Sequence, residues 1–129
     1  MTDDLRQHER LAIERLLAGD AAEAKILLQQ LAVAVAVHRL ESTVGFQVDF
    51  GLPEGTVLLS NRERLVLGNL KAEVRGVDGG IGFALFIEGG RLASLDGTAF
   101  GENWPGAGAH VFNYQPINAN ERSPLERVG

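Results

Sequence analysis

The sequence predicts an α+β fold, with two N-terminal helices packed on a four- to five-stranded antiparallel meander sheet. Three observations carry that expectation. Residues 1–44 hold one glycine, at position 19, whereas residues 45–108 hold fourteen of the sixteen. Apolar residues recur at helical spacing in the glycine-poor part, and alternate with polar ones in the glycine-rich part. Gly89-Gly90 between two apolar runs is what a two-residue hairpin turn requires, because a type I′ turn needs positive φ at both central positions.

The first helix is expected from Thr2 as cap, with Asp3 and Asp4 at the positive end of the dipole and Leu5, Ala12, Ile13, Leu16 and Leu17 on one face. Gly19 stops it. Asp20 with Glu23 three residues on is a capping-box variant that opens a second helix, in which Ala24, Leu27, Leu28 and Leu31 repeat at helical spacing. Nothing basic on that second helix suits a DNA groove, so the pair reads as packing. From Ala32 the period becomes two, with Val33, Val35 and Val37 on one side and Ala34, Ala36 and His38 on the other. The alanines also allow the helix to continue here, while the β-branched valines favour a strand.

Phe46 to Phe50 alternates as a half-buried strand does. Pro53 to Ser60 is a loop. Leu65 to Arg75 resumes the alternation with Leu70, Ala72 and Val74 inward, and Gly68 marks a bulge. Val77-Asp78-Gly79-Gly80 is a turn leading into Ile81 to Glu88, apolar on both faces and therefore central. The strand from Arg91 to Thr98 follows the hairpin, and another is expected over His110 to Tyr114. Residues 1–116 form one domain in this reading and 117–129 a flexible tail.

Composition removes several function classes. With 129 residues there is room for one core, and 45% hydrophobic against 22% charged residues is ordinary for a globular chain. Seventeen acidic against twelve basic side chains give a charge of -5, the wrong sign for counterion release from nucleic acid. The absence of cysteine excludes disulfides, thiolate metal sites and thiol nucleophiles. The N-terminus is acidic where a secretory leader is basic. The longest nearly apolar stretch, Ile26 to Val37, falls short of the ~20 residues of a membrane span, so the expected compartment is the cytoplasm.

Candidate chemistry is sparse. His8, His38 and His110 show no metal-ligand spacing, so neither metal nor cofactor is expected. Gly79-Gly80-Ile81-Gly82 lacks the pattern of a phosphate loop, and Gly106 to His110 could present N–H groups to an anion but equally forms a plain loop. Ser94, His110 and Asp96 make a triad on paper without a nucleophile elbow. Residues 96–105 are the richest segment. Asp96, Phe100, Glu102 and Trp104 combine acids, aromatics and turn residues as binding surfaces do, and an exposed cluster would be an acidic rim around an aromatic anchor. The opposing reading has Phe100 and Trp104 capping the core.

Gly45-Phe46 with Phe50, Leu67-Gly68 with Ala72-Glu73-Val74, the stretch from Gly82-Phe83 through Gly89-Gly90-Arg91-Leu92 to Leu95, and Phe100-Gly101-Glu102 with Trp104-Pro105 together resemble a family of small bacterial proteins. The resemblance covers about residues 5–114. It implies the fold and carries no established activity, cofactor or catalytic residue. Members usually have glutamate and a bulky residue where this chain has Asp96-Gly97.

Three functions follow as expectations. The leading one is a non-catalytic protein-interaction module that binds a basic partner, by analogy with small acidic immunity proteins that plug basic active sites. The alternative is a small ligand-binding or enzymatic domain using the sheet face and residues 96–105 as a pocket. The third is a homodimer paired through an edge strand over Ala32 to Leu40, which is long, weakly charged and free of proline.

Overall fold

The computed structural model describes residues 3–19, 21–101, 103–121 and 123–127. Two helices, α1 (Gln7–Leu16) and α2 (Ala22–Val33), precede the strands β1 (Val35–Ser42), β2 (Gly45–Gly51), β3 (Leu65–Val74), β4 (Val77–Glu88), β5 (Arg91–Ala99) and β6 (Val111–Gln115). All are joined in one antiparallel sheet of order β1-β2-β5-β4-β3-β6. The α+β fold with two helices on an antiparallel sheet is as the sequence predicts, and the sheet has six strands rather than four or five. It is a β1–β2 hairpin and a β3–β4–β5 meander joined where β2 meets β5. Residues 52–64 carry the chain across to β3, and β6 adds itself outside β3.

The β4–β5 turn is the hairpin the glycines require: Gly89 has φ +62° and Gly90 +79°, flanked by the pair Glu88 and Arg91. A Cβ on Gly90 would stand 2.5 Å from the Leu59 carbonyl, so that position needs glycine for space as well as for φ. The bulge expected at Gly68 is present as a register shift between Leu67 and Leu70.

Some boundaries move, each for a physical reason. Helix α1 starts at Gln7 with Arg6 as N-cap, because Asp3 is pulled into a bridge with Ala36, its N–H donating to the Ala36 carbonyl (2.8 Å) and its carbonyl accepting from the Ala36 N–H (2.7 Å). The proposed caps Thr2 and Asp20 lie outside the described residues. Helix α2 extends to Val33. A bulge at Val37 then breaks the alternation of β1, so Ala36 faces the helices while His38, opposite Asp49, faces away. The turn before β4 is at Arg75–Gly76, with Gly76 at φ +84°, and Val77 to Gly80, where the turn is expected, belong to β4. Beyond Pro116, where a loose tail is expected, Asn118 and the Asn69 side chain exchange two hydrogen bonds (2.7 and 2.8 Å), and Leu125 is buried in the core.

Both helices lie on one face of the sheet, α1 against β3, β4 and β6 and α2 against β5. The core between them takes Ala12, Ile13, Leu16, Leu27 and Leu31 from the helices and Phe46, Val48, Leu70, Phe83, Leu85 and Leu95 from alternate strand positions. Buried Gln30 fastens the layers: its amide N–H groups donate to the carbonyls of Val57 (3.0 Å) and Gly90 (3.1 Å), and its oxygen accepts from the Leu92 N–H (2.9 Å). Among the described residues no helix is long and apolar enough to cross a membrane.

Candidate functional site

The segment 96–105 is divided between the two faces of the sheet. Asp96 in β5 is opposite Gln47 on one side and Ala84 on the other, out of phase with the buried Leu95, so it stands on the face without helices. Phe100 is on that face too. Its N–H donates to the Gly80 carbonyl (2.9 Å), its ring passes over Gly82, and it remains 52% exposed. Positive φ at Gly101 (+151°) and Asn103 (+81°) then reverses the chain around the end of the sheet. Trp104 consequently enters the core on the helix side, 6% exposed, tied by its N–H to the Thr43 carbonyl (2.9 Å) and by its indole Nε1 to Glu41 (3.2 Å). Glu102 lies outside the described residues. The exposed group of Asp96, Glu102 and Trp104 is therefore not assembled. Asp96 and Phe100 share a face, and Trp104 caps the core.

On the helix-free face β4 and β5 set Gly82 opposite Thr98, Ala84 opposite Asp96 and Phe86 opposite Ser94, so small residues occupy much of its centre. Around them stand exposed Val37, Leu40, Val66, Phe100 and Phe112. Asp96 lies one diagonal step from Asp49, since Asp49 is opposite Ser94 and Gln47 opposite Asp96. The Gln47 amide (3.3 Å) and the His38 ring (Nδ1, 3.5 Å) reach Asp49, but Asp96 Oδ1 is buried and has no hydrogen-bond partner among the described residues. Loss of water and the nearby Asp49 charge both raise its carboxyl above the ordinary range.

A polar cluster outside the residues singled out from the sequence lies on the helix side. Glu9, fully buried, takes two hydrogen bonds from Arg39 (2.7 and 3.1 Å) and one from the Arg6 N–H (2.8 Å). Arg6 pairs with Glu41 (2.8 Å), which also accepts from Trp104. Burial works against the Glu41 charge, but the Arg6 and Trp104 hydrogen bonds outweigh it and hold the carboxyl below its usual value. His8 is buried edge-on against Phe46 (5.6 Å) and Trp104 (5.4 Å), its Nε2 without a partner among the described residues, and burial keeps its pKa low. A signal for these residues is present in the sequence: 5, 8, 9, 12, 13 and 16 follow helical spacing, which puts His8 and Glu9 on the apolar stripe. The cluster staples α1, the edge strand β1 and the Trp104 loop together.

Among the described residues no three His, Asp or Glu side chains gather as a metal site. Ser94 and Asp96 are in β5, while His110 precedes β6 with β4 and β3 in between, so the paper triad is not brought together. Gly106–Gly108 form a single 3-10 turn. Compared with known proteins, the chain matches no family model, no curated protein and no solved structure.

Proposed function

We propose that this chain is a non-catalytic protein-interaction module whose helix-free sheet face receives a partner carrying basic side chains, in the cytoplasm. The observation that carries the reading is the Asp49–Asp96 pair, with Asp96 Oδ1 left without a partner, set among exposed Phe100, Val37, Leu40 and Val66 on a face no helix covers. A lysine or arginine from a partner would relieve the repulsion between the two carboxylates, and the apolar side chains would supply the contact area. The net charge of -5 favours the same kind of partner by long-range attraction. An acidic module of this kind is comparable to immunity proteins that cover basic sites.

Affinity capture from extracts of the source cell tests it, with wild-type chain, Phe100→Glu and the double variant Asp49→Lys, Asp96→Lys as baits. A partner retained by the wild type and released by both variants is the expected result, with association slowing as salt rises. Equal retention by three baits of equal folding would overturn the reading.

A second reading, the homodimer, is favoured by one observation: β1 is an edge strand whose Leu40 is 56% exposed. Asp3 covers that edge at Ala36 and leaves the stretch around Leu40 to a second copy. Sedimentation tests it, with Leu40→Lys expected to return a dimer to the monomer mass.

A further inference from the structure

Far from the Asp49–Asp96 pair, strand β6 pairs with β3 only along Lys71 to Val74, and beside the first half of β3 the chain leaves a cleft of about 370 Å³. Its walls are the last turn of α1, the β3 bulge, Tyr114 and the segment that follows Pro116. That segment is held in place by the paired hydrogen bonds between Asn69 and Asn118. The volume falls in the range of small-molecule sites, and a β-bulge on the wall is the kind of irregularity that re-aims groups at such sites.

Two polar groups stand at the cleft without a protein partner among the described residues, the buried Tyr114 hydroxyl and the exposed Arg15 guanidinium. The Tyr114 hydroxyl is buried and has no partner among the described residues. Burial pushes its pKa up to about 12, so near neutral pH it is a proton donor. The Arg15 guanidinium lies 5.8 Å from the centre of the Tyr114 ring, and among the described residues no carboxylate comes within ion-pair distance of it. Both groups donate, and they seek an acceptor with negative charge. Leu16 and Leu67 supply an apolar wall that a bare inorganic anion would not use, and Glu121 at the same cleft opposes a multiply charged ligand.

We infer that this cleft binds a small organic monoanion, a carboxylate on a flat apolar body, with the carboxylate at Arg15 and Tyr114 and the body against Leu16 and Leu67. The acidic-face reading neither requires this site nor is required by it.

The chain holds one tyrosine and one tryptophan, in separate places, so their ring resonances report on cleft and core independently. Titrating benzoate into the full chain should shift the Tyr114 resonances saturably at millimolar concentration and leave the Trp104 indole unmoved. Arg15→Gln should weaken binding by about tenfold or more, the worth of one charge-assisted contact. Benzyl alcohol, which keeps the ring and loses the charge, should bind about tenfold more weakly than benzoate. Tyr114→Phe, followed through the Asn69 side-chain amide, should weaken benzoate more than benzyl alcohol. The absence of a saturable Tyr114 shift at tens of millimolar benzoate would overturn the inference. So would equal binding of benzoate and benzyl alcohol, or an Arg15→Gln chain with unchanged affinity and an unmoved Trp104 signal.

Discussion

Phe100 and Trp104 are four residues apart and occupy opposite layers of the molecule. Trp104 closes the helix-side core, packed on Phe46 at 5.4 Å and hydrogen-bonded to Glu41, whereas Phe100 rests on the glycines of β4 with half its surface in water. The acids of the two layers differ as well. On the helix side the acids are paired, fully buried Glu9 with Arg39 and partly exposed Glu41 with Arg6. On the helix-free side Asp96 stands beside a like charge with one oxygen unsatisfied. A buried charge with its partner in place is part of the frame, while an acid held near another acid gains only when something cationic arrives. An aromatic–acidic segment in a sequence therefore does not say by itself which of its members build the fold and which are left to bind.

The largest test of this division is the aromatic pair. Trp104→Ala should cost ~3–5 kcal/mol of stability through the cavity it opens, and Phe100→Ala less than about 1 kcal/mol, as chemical denaturation would read. Equal costs would erase the distinction between the layers.

Acid should find the helix side next. The buried His8 imidazole resists protonation in the folded chain, while the unfolded chain takes the proton near pH 6.5. The contribution of His8 is therefore complete above about pH 6.5 and declines as the pH falls below it. Denaturation midpoints between pH 7 and 5 should drop in the wild type and drop less in His8→Phe, and an identical slope in both would remove His8 as the cause. The window stays above the range in which Glu41, with its lowered pKa, adds its own acid-side loss.

The smallest effect is expected on the helix-free side and has the opposite sign. Because the Asp96 pKa is raised on folding, its charge weakens the folded state at neutral pH, and the penalty fades as the pH falls into the carboxylate range. Asp96→Asn should leave stability equal or higher at pH 7, with the difference closing toward pH 4. A clear loss at pH 7 would mean that the carboxylate has a stabilising partner.

Glycine and alternation made much of the frame legible. Gly89-Gly90 announced the hairpin because only glycine adopts two successive positive φ values without strain, and both are observed. Gly68 marked its bulge, and Leu70, Ala72 and Val74 face inward as their spacing requires. Val37 misled because a bulge changes the face of every residue beyond it without changing the composition of the strand. Gly97 shows a choice explained only by contact: the Phe46 ring lies against it from the neighbouring strand and fills the space a side chain would need.

By itself the sequence determined the order of helices and strands, the tight turns and the inward residues of most elements. These follow from periodicity and backbone preference, which act over a few residues. Only the tertiary structure decided that β2 pairs with β5, that Phe100 and Trp104 part to opposite layers, and that Arg15, Tyr114 and the segment beyond Pro116 meet at a cleft. Such pairings join positions tens of residues apart, and they are settled by which surfaces can be buried together, a condition that no local pattern expresses.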